Sequence, residues 1–231
     1  MKIKNGMILA AGLGKRMKPI TLHTPKPLIK IGNKNLLERA LNLLINHGVE
    51  KITINVHHFA DQIKDFINDN NFKAEIMISD ERNLLLDTGG GIFQATKDFE
   101  GPFIVINPDT LWSEKYAEEL LGLENLYFKY QKTSLLLVNK DLSYDKSFLG
   151  DFNLREDLIS RDKNNKFVFT GLQILDRNVF NMQKEKKFSM NKIWDELIKN
   201  KKLFGMQSDQ NFYHLNTKEM YDKISDLNNI D

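Results

Sequence analysis

Hydrophobic and polar positions in the first two-thirds of this 231-residue chain switch repeatedly between two periods. Residues 6–10 (GMILA) form a short apolar run, and residues 51–56 (KITINV) and 74–78 (AEIMI) alternate, so each predicts a strand. Between the first two, Leu36, Leu37, Ala40, Leu41, Leu44 and Ile45 recur at helical spacing behind Asn33-Lys34-Asn35, which can cap a helix; Gly48 stops it. Phe59, Ile63, Phe66 and Ile67 mark one face of a second helix. Asp87-Thr88-Gly89-Gly90-Gly91 opens a third, over 92–97. Residues 103–106 (FIVI) are wholly apolar, the pattern of a strand buried on both faces. A helix over 114–127 and a strand over 134–138 complete this part.

Repeated strand–helix–strand units with short connections predict an α/β fold with a doubly wound, mostly parallel sheet. In such sheets the crossovers place ligands at the carboxyl ends of the strands. From about residue 142 the pattern changes. Short strands over 148–154 and 167–176 suggest a small β-rich lobe. A helix from Ser189 carries Met190, Ile193, Trp194, Leu197 and Ile198, late strands are expected over 203–206 and 212–215, and a terminal helix over 218–227. Without a low-complexity linker or internal repeat, one domain over 1–231 is expected.

Composition narrows the function classes. The apolar fraction of 41% and charged fraction of 28% are those of an ordinary soluble globular protein. A net charge of +2 with mixed signs argues for neither nucleic acid nor membrane as partner. No cysteine is present, which excludes disulfides and thiolate metal sites and fits a reducing, cytoplasmic setting. The apolar run after Lys2 and Lys4 is too short and glycine-broken for a signal peptide.

Residues 8–30 (ILAAGLGKRMKPITLHTPKPLIK) concentrate the candidate chemistry. A buried strand ends in Leu9, Ala10 and Ala11, breaks at Gly12 and Gly14, and meets Lys15 and Arg16. Backbone N–H groups of such a loop can approach a polyphosphate. The stretch is not a Walker A motif, since Arg16 follows Lys15 where Ser or Thr is needed. Nor is it a dinucleotide fingerprint, since Met17 replaces the third glycine. A plain tight turn is the competing reading. Lys26, between Pro25 and Pro27, is a pre-positioned charge. Asp109, after FIVI in Asn107-Pro108-Asp109, can hold Mg²⁺ on a phosphate or cap a helix. The triple glycine can lie flat against a ring or phosphate, or be a flexible helix start. The histidines show no metal-ligand spacing.

Together these stretches resemble the sugar-phosphate nucleotidyltransferase family, whose fold is Rossmann-like, of the glycosyltransferase-A type. The resemblance covers nearly the whole chain and rests on LAAGLGKRM from Leu9, TPKPL from Thr24 and NPD at Asn107 to Asp109. LHTPKPL from Leu22, DTGGGIFQA from Asp87, GDF from Gly150 and FTG from Phe169 are most similar to members acting on N-acetylmuramate 1-phosphate in cell-wall recycling. The resemblance implies attack of a sugar 1-phosphate oxygen on the α-phosphate of a nucleoside triphosphate, expelling pyrophosphate. Residues 1–140 become the nucleotide-binding part, 141–215 the sugar-binding part and 216–231 the terminal helix. Leu9, Ala10, Ala11, Gly12, Gly14, Lys15 and Arg16 would hold the nucleotide, with Glu81, Thr88 and Gly89 at the base. Lys26 would bridge donor and acceptor phosphates. Asn107, Gly150, Asp151, Thr170 and Gly171 would lie along the sugar phosphate, and Asp109 would ligate the metal.

If Glu81 faces the base edge, its acceptor-only carboxylate favours UTP or GTP over CTP. UTP with N-acetylmuramate 1-phosphate is the expected pair. Guanylyl transfer to mannose or heptose 1-phosphate, cytidylyl transfer to a phospho-alcohol, and a non-catalytic sugar-nucleotide-binding regulator are the alternatives. A monomer or small homo-oligomer is expected. The chain departs from the family at His214-Leu215-Asn216-Thr217, where Asp-Val-Gly-Thr is common. Asn216 can replace glycine in a left-handed conformation. Imidazole suits Mg²⁺ poorly, so either Asp109, phosphates and water hold the metal, or His214 takes part with a softer ion such as Mn²⁺.

Overall fold

A computed structural model describes residues 2–227. The first half folds into β1 (Asn5–Leu9), a two-residue hairpin of β2 (Lys30–Ile31) and β3 (Lys34–Asn35), α1 (Leu36–His47), β4 (Lys51–Val56), α2 (Ala60–Asn68), β5 (Glu75–Asp80), α3 (Asp87–Ala95) and β6 (Phe103–Ile106). The second half adds α4 (Ala117–Tyr130), β7 (Ser134–Asn139), β8 (Asn153–Arg155), β9 (Leu158–Ser160), β10 (Phe167–Leu175), α5 (Met190–Lys199), β11 (Phe204–Ser208) and α6 (Lys218–Ser225).

Nine strands form one sheet in the order β5-β4-β1-β6-β10-β7-β11-β9-β8. β5, β4, β1 and β6 run parallel. β10 then enters antiparallel between β6 and β7. The mixed, mostly parallel sheet flanked by helices expected from the sequence is therefore present. The β-rich part is continuous with it, since β10 shares its central hydrogen bonds and the β8–β9 hairpin forms the far edge.

Local chemistry explains the elements. Asn35 caps α1 by accepting from the Glu38 N–H at 2.8 Å, and Gly48 ends it with φ 103°. The apolar stripe Leu37, Ala40, Leu41 and Leu44 is fully buried against the sheet, and Leu36 is buried beside Met17 and Ile31, each leucine contributing roughly 1.5–3 kcal/mol. FIVI is buried at all four positions because helices cover both faces of the sheet. α5 starts where Ser189 caps it and buries Met190, Ile193 and Trp194.

The strand expected over 212–215 does not join the sheet. It pairs with two loops instead: Leu111 N–H donates to the Tyr213 carbonyl at 2.9 Å, Leu215 N–H to the Asp109 carbonyl at 2.8 Å and Phe212 N–H to the Leu142 carbonyl at 3.0 Å. The run over 148–154 is likewise mostly loop, with β8 only at its end. No helix among the described residues is long and apolar enough to cross a membrane.

Candidate active site

β1 delivers the chain at its carboxyl end into an open loop. Gly14 adopts φ 59°, and a Cβ there would fall 2.9 Å from the Thr21 methyl, so glycine is required. The Thr21 hydroxyl donates to the Gly14 carbonyl at 2.9 Å and fixes the turn. Above Gly12 a Cβ would meet nothing within 4 Å. Among the described residues, the N–H groups of Gly12, Leu13 and Gly14 have no acceptor in the protein. Lys15 and Arg16 follow in an exposed 3₁₀ turn, Lys15–Met17. A cavity of about 320 Å³ joins Leu9, Ala10, Gly12, Gly14, Lys15 and Arg16 to Lys26 and Asp109. The sequence-predicted phosphate loop and its cations are thus brought together.

Lys26 and Asp109 form the floor. Lys26 Nζ lies 2.6 Å from Asp109 Oδ2, and His214 Nε2 lies 3.2 Å from the same oxygen. The pairing of residues 109–111 with 213–215 is what carries His214 there from the other end of the chain. Burial opposes ionisation of Asp109, but the charge of Lys26 and the neighbouring His214 outweigh it and hold the carboxyl well below the usual carboxylate range. Asp109 Oδ1 is buried with no hydrogen-bond partner. That orphaned, hard oxygen suits a Mg²⁺ ion completed by phosphates and water. His214 suits it less well, because its Nε2 already faces the carboxylate and its Nδ1 is buried. No cluster of three or more His, Asp or Glu residues able to hold a metal occurs among the described residues. Asn216 is not left-handed; its amide donates to Asp145 Oδ2 at 2.8 Å, placing the residue at the cavity wall.

A second cavity of about 460 Å³ lies beyond Gly12, walled by Leu9, Ala11, Asn55, Leu85, Asp87 and Thr88. It differs from expectation in two ways, at Glu81 and at the glycines. Glu81 borders it but is 3% exposed, and both its oxygens are engaged, with Asn55 and the Leu86 N–H, so it does not offer a free acceptor to a base edge. The preference for UTP or GTP drawn from that carboxylate loses its basis. Gly89 is buried inside α3, where a Cβ would strike the Phe188 ring at 2.4 Å; at Gly90 it would strike the Lys186 carbonyl at 2.2 Å. Gly89 and Gly90 therefore serve close packing against residues 186–188, and Gly91 close packing against Asn55 and Glu81. The Thr88 hydroxyl accepts from the Met190 N–H at 2.9 Å, tying α3 to the start of α5.

On the other side of Asn107, a third cavity of about 220 Å³ is lined by Asp151, Arg161, Phe169, Trp194 and His214. Asn107 borders both this cavity and the second, and its Oδ1 is buried without a partner. Of the other residues expected along the sugar, Asp151 is present, its carboxylate accepting from the Phe169 N–H at 2.9 Å. Thr170 is 1% exposed and donates to the Leu136 carbonyl, so it is part of the sheet. Gly171 (φ 96°) lies in the β10 bulge beneath Asn107, where a Cβ would meet Asn107 Cβ at 2.8 Å. Gly150 (φ 94°) makes a turn against the Asn165 carbonyl. Both glycines shape the wall from behind.

Arg161 and Phe148, which also line this cavity, carry no signal in the sequence, and Trp194 reads there only as part of a helix face. Asn55 carried a signal: a polar residue at the carboxyl end of an otherwise buried parallel strand.

A glycine loop at the end of β1, two cations beside it and a carboxylate after the neighbouring strand β6 line one cavity. Residues 5–140 match the nucleotidyl transferase family, and the chain belongs to it. It is an enzyme of the sugar-1-phosphate nucleotidyltransferase class. Over 221 residues the sequence is 30% identical to N-acetylmuramate α-1-phosphate uridylyltransferase of Caulobacter vibrioides, covering 92% of this chain and 91% of the relative. It is 34% identical over 179 residues to the enzyme of that name from Neisseria meningitidis, covering 75% and 76%. The structure of HddC from Yersinia pseudotuberculosis complexed with GMP-PN superimposes with TM-score 0.77 at 27% identity, over 96% of this chain and 98% of that one.

Proposed function

We propose that this enzyme transfers the uridylyl group of UTP to N-acetylmuramate 1-phosphate. An oxygen of the sugar phosphate bonds to the α-phosphorus as the bond to the β-phosphate breaks, and pyrophosphate leaves. The observation that carries the reading is the ion pair of Lys26 and Asp109 at 2.6 Å, beside the phosphate loop. The choice of substrates draws its support from the two relatives of that name.

The reaction needs positioning and charge neutralisation rather than a side-chain nucleophile. The free N–H groups of residues 12–14 and the exposed Arg16 hold the triphosphate. Lys26 neutralises charge developing on the transferred phosphoryl group. The base occupies the cavity beyond Gly12, and the sugar the cavity under Trp194. Asp109 is the metal-holding residue; Mg²⁺, when bound, offsets phosphate charge and aligns the oxygens. The reading is tested by offering the enzyme an equal mixture of UTP, GTP, CTP and dTTP with N-acetylmuramate 1-phosphate. Mass spectrometry is expected to find the uridine diphosphate sugar as the main product; a different nucleotide in the product overturns the choice of base.

A further inference from the structure

A polar bridge runs from the phosphate loop to the base loop through two side chains that the transfer chemistry does not use. Asn55 Oδ1 accepts from the Ala10 N–H at 2.8 Å. Asn55 Nδ2 donates to Glu81 Oε1 at 2.7 Å. Glu81 Oε2 then accepts from the Leu86 N–H at 3.0 Å. Asn55 is 2% exposed and Glu81 3%. Gly91 of α3 seals the bridge, since a Cβ there would fall 2.8 Å from Asn55 Nδ2 and 2.9 Å from Glu81 Oε1. Glu81 is also held through its main chain, its N–H donating to the Val56 carbonyl at 2.7 Å and its carbonyl lying 2.7 Å from His57 Nδ1.

Donors and acceptors allow one arrangement. Turning the Asn55 amide over would face its NH₂ against the Ala10 N–H and its oxygen against the carboxylate. The bridge thus has a fixed length, with a backbone N–H of each wall at either end. A buried carboxylate satisfied by two donors is costly to disturb, which makes the spacing stiff.

We propose that Asn55 and Glu81 are positioning residues for the nucleoside triphosphate. By fixing residues 9–12 relative to Leu85, Asp87 and Thr88, they set the width of the slot that receives the heterocyclic base. This rests on the reading that the second cavity takes the nucleotide. Neither residue touches the phosphates; their effect falls on nucleotide affinity and on discrimination between bases.

The polarity of the bridge supplies its test. Asn55→Asp alone sets a second carboxylate oxygen against Glu81 Oε1. Glu81→Gln alone turns an NH₂ against either Asn55 Nδ2 or the Leu86 N–H. Combined, the two substitutions restore every bond with the charge moved from position 81 to position 55. The new carboxylate accepts from Ala10 and from the new amide, whose carbonyl accepts from Leu86. Binding of UTP, GTP, CTP, dTTP and ATP in Mg²⁺ is measured by titration calorimetry without sugar, beside a melting curve for each protein. Each single variant is expected to weaken binding of the preferred nucleotide about tenfold or more and to narrow the differences between bases, and the double variant to return to within about threefold of the wild type. Single variants that bind like the wild type, or a double variant that binds no better than they do, overturn the proposal. Where a single variant fails to fold, the double variant decides alone: wild-type-like affinity supports the bridge, while an unfolded or non-binding double overturns it. A wild-type protein that binds none of the five nucleotides overturns the cavity reading and this proposal with it. A wild type that binds one, with no rescue in the double, overturns this proposal alone.

Discussion

Lys26 Nζ stands 2.6 Å from Asp109 Oδ2, with the two side chains 14% and 25% exposed. The pair joins a lysine fixed between Pro25 and Pro27 to a carboxylate at the end of β6, across 83 residues of sequence. Replacing Lys26 by Met removes the charge while keeping the stem. A turnover loss of roughly 10²–10³-fold in kcat is expected, with a smaller change in KM for either substrate. Steady-state kinetics check it, and a kcat near wild type contradicts the role given to Lys26.

His214 occupies the place where the family commonly has an aspartate, and it faces Asp109 Oδ2 at 3.2 Å. His214→Asp sets two carboxylates side by side, which repel until a cation lies between them. The variant is expected to melt below the wild type without metal, to gain more stability from Mg²⁺, and to need less Mg²⁺ for half-maximal turnover. Melting curves across a Mg²⁺ titration read this out. A variant whose response to Mg²⁺ matches the wild type shows that position 214 has no bearing on the ion.

His47 and Glu124, away from the site, set a pH dependence of folding. Their side chains are 5% and 3% exposed, 3.4 Å apart. Burial lowers the His47 pKa more than Glu124 raises it, and Lys2 lowers it further. The folded state therefore binds this proton less readily than the unfolded chain, whose histidine titrates near about 6.5. Stability is complete above that pH and falls as the unfolded histidine takes up its proton on acidification. Between about pH 7.5 and about pH 5.5 the wild type is expected to lose at least about 2 °C more in Tm than His47→Gln. Equal losses in the two proteins contradict the assignment.

The parallel half of the fold was legible because its periods are clean: FIVI and KITINV each became the strands they resemble, with Gly48 and Asn35 marking helix ends. The later half was less so. FYHL alternates like a strand, yet its partners lie in two loops, 109–111 and 142–144, long-range pairings that no local period encodes. At the site, Gly14, Arg16, Lys26 and Asp109 could be singled out because glycine freedom, fixed prolines and a strand-end carboxylate are local signals. Glu81, Gly89 and Thr170 misled for one reason. Glycines and polar residues in a motif look alike whether they touch a ligand or pack behind the residues that do, and only burial tells the two apart. Gly89 against Phe188 and Thr170 beneath the Leu136 carbonyl are of the second kind.

Nucleotidyl transfer at Asp109 is tested most directly by pyrophosphate release from UTP and N-acetylmuramate 1-phosphate in Mg²⁺, with wild-type protein and Asp109→Asn side by side. The wild type is expected to release pyrophosphate only when both substrates and the metal are present. The variant, folded by its melting curve, is expected to fall by about 10²-fold or more. Release that persists in Asp109→Asn, or no release by the wild type with this pair, contradicts the proposed reaction and its site.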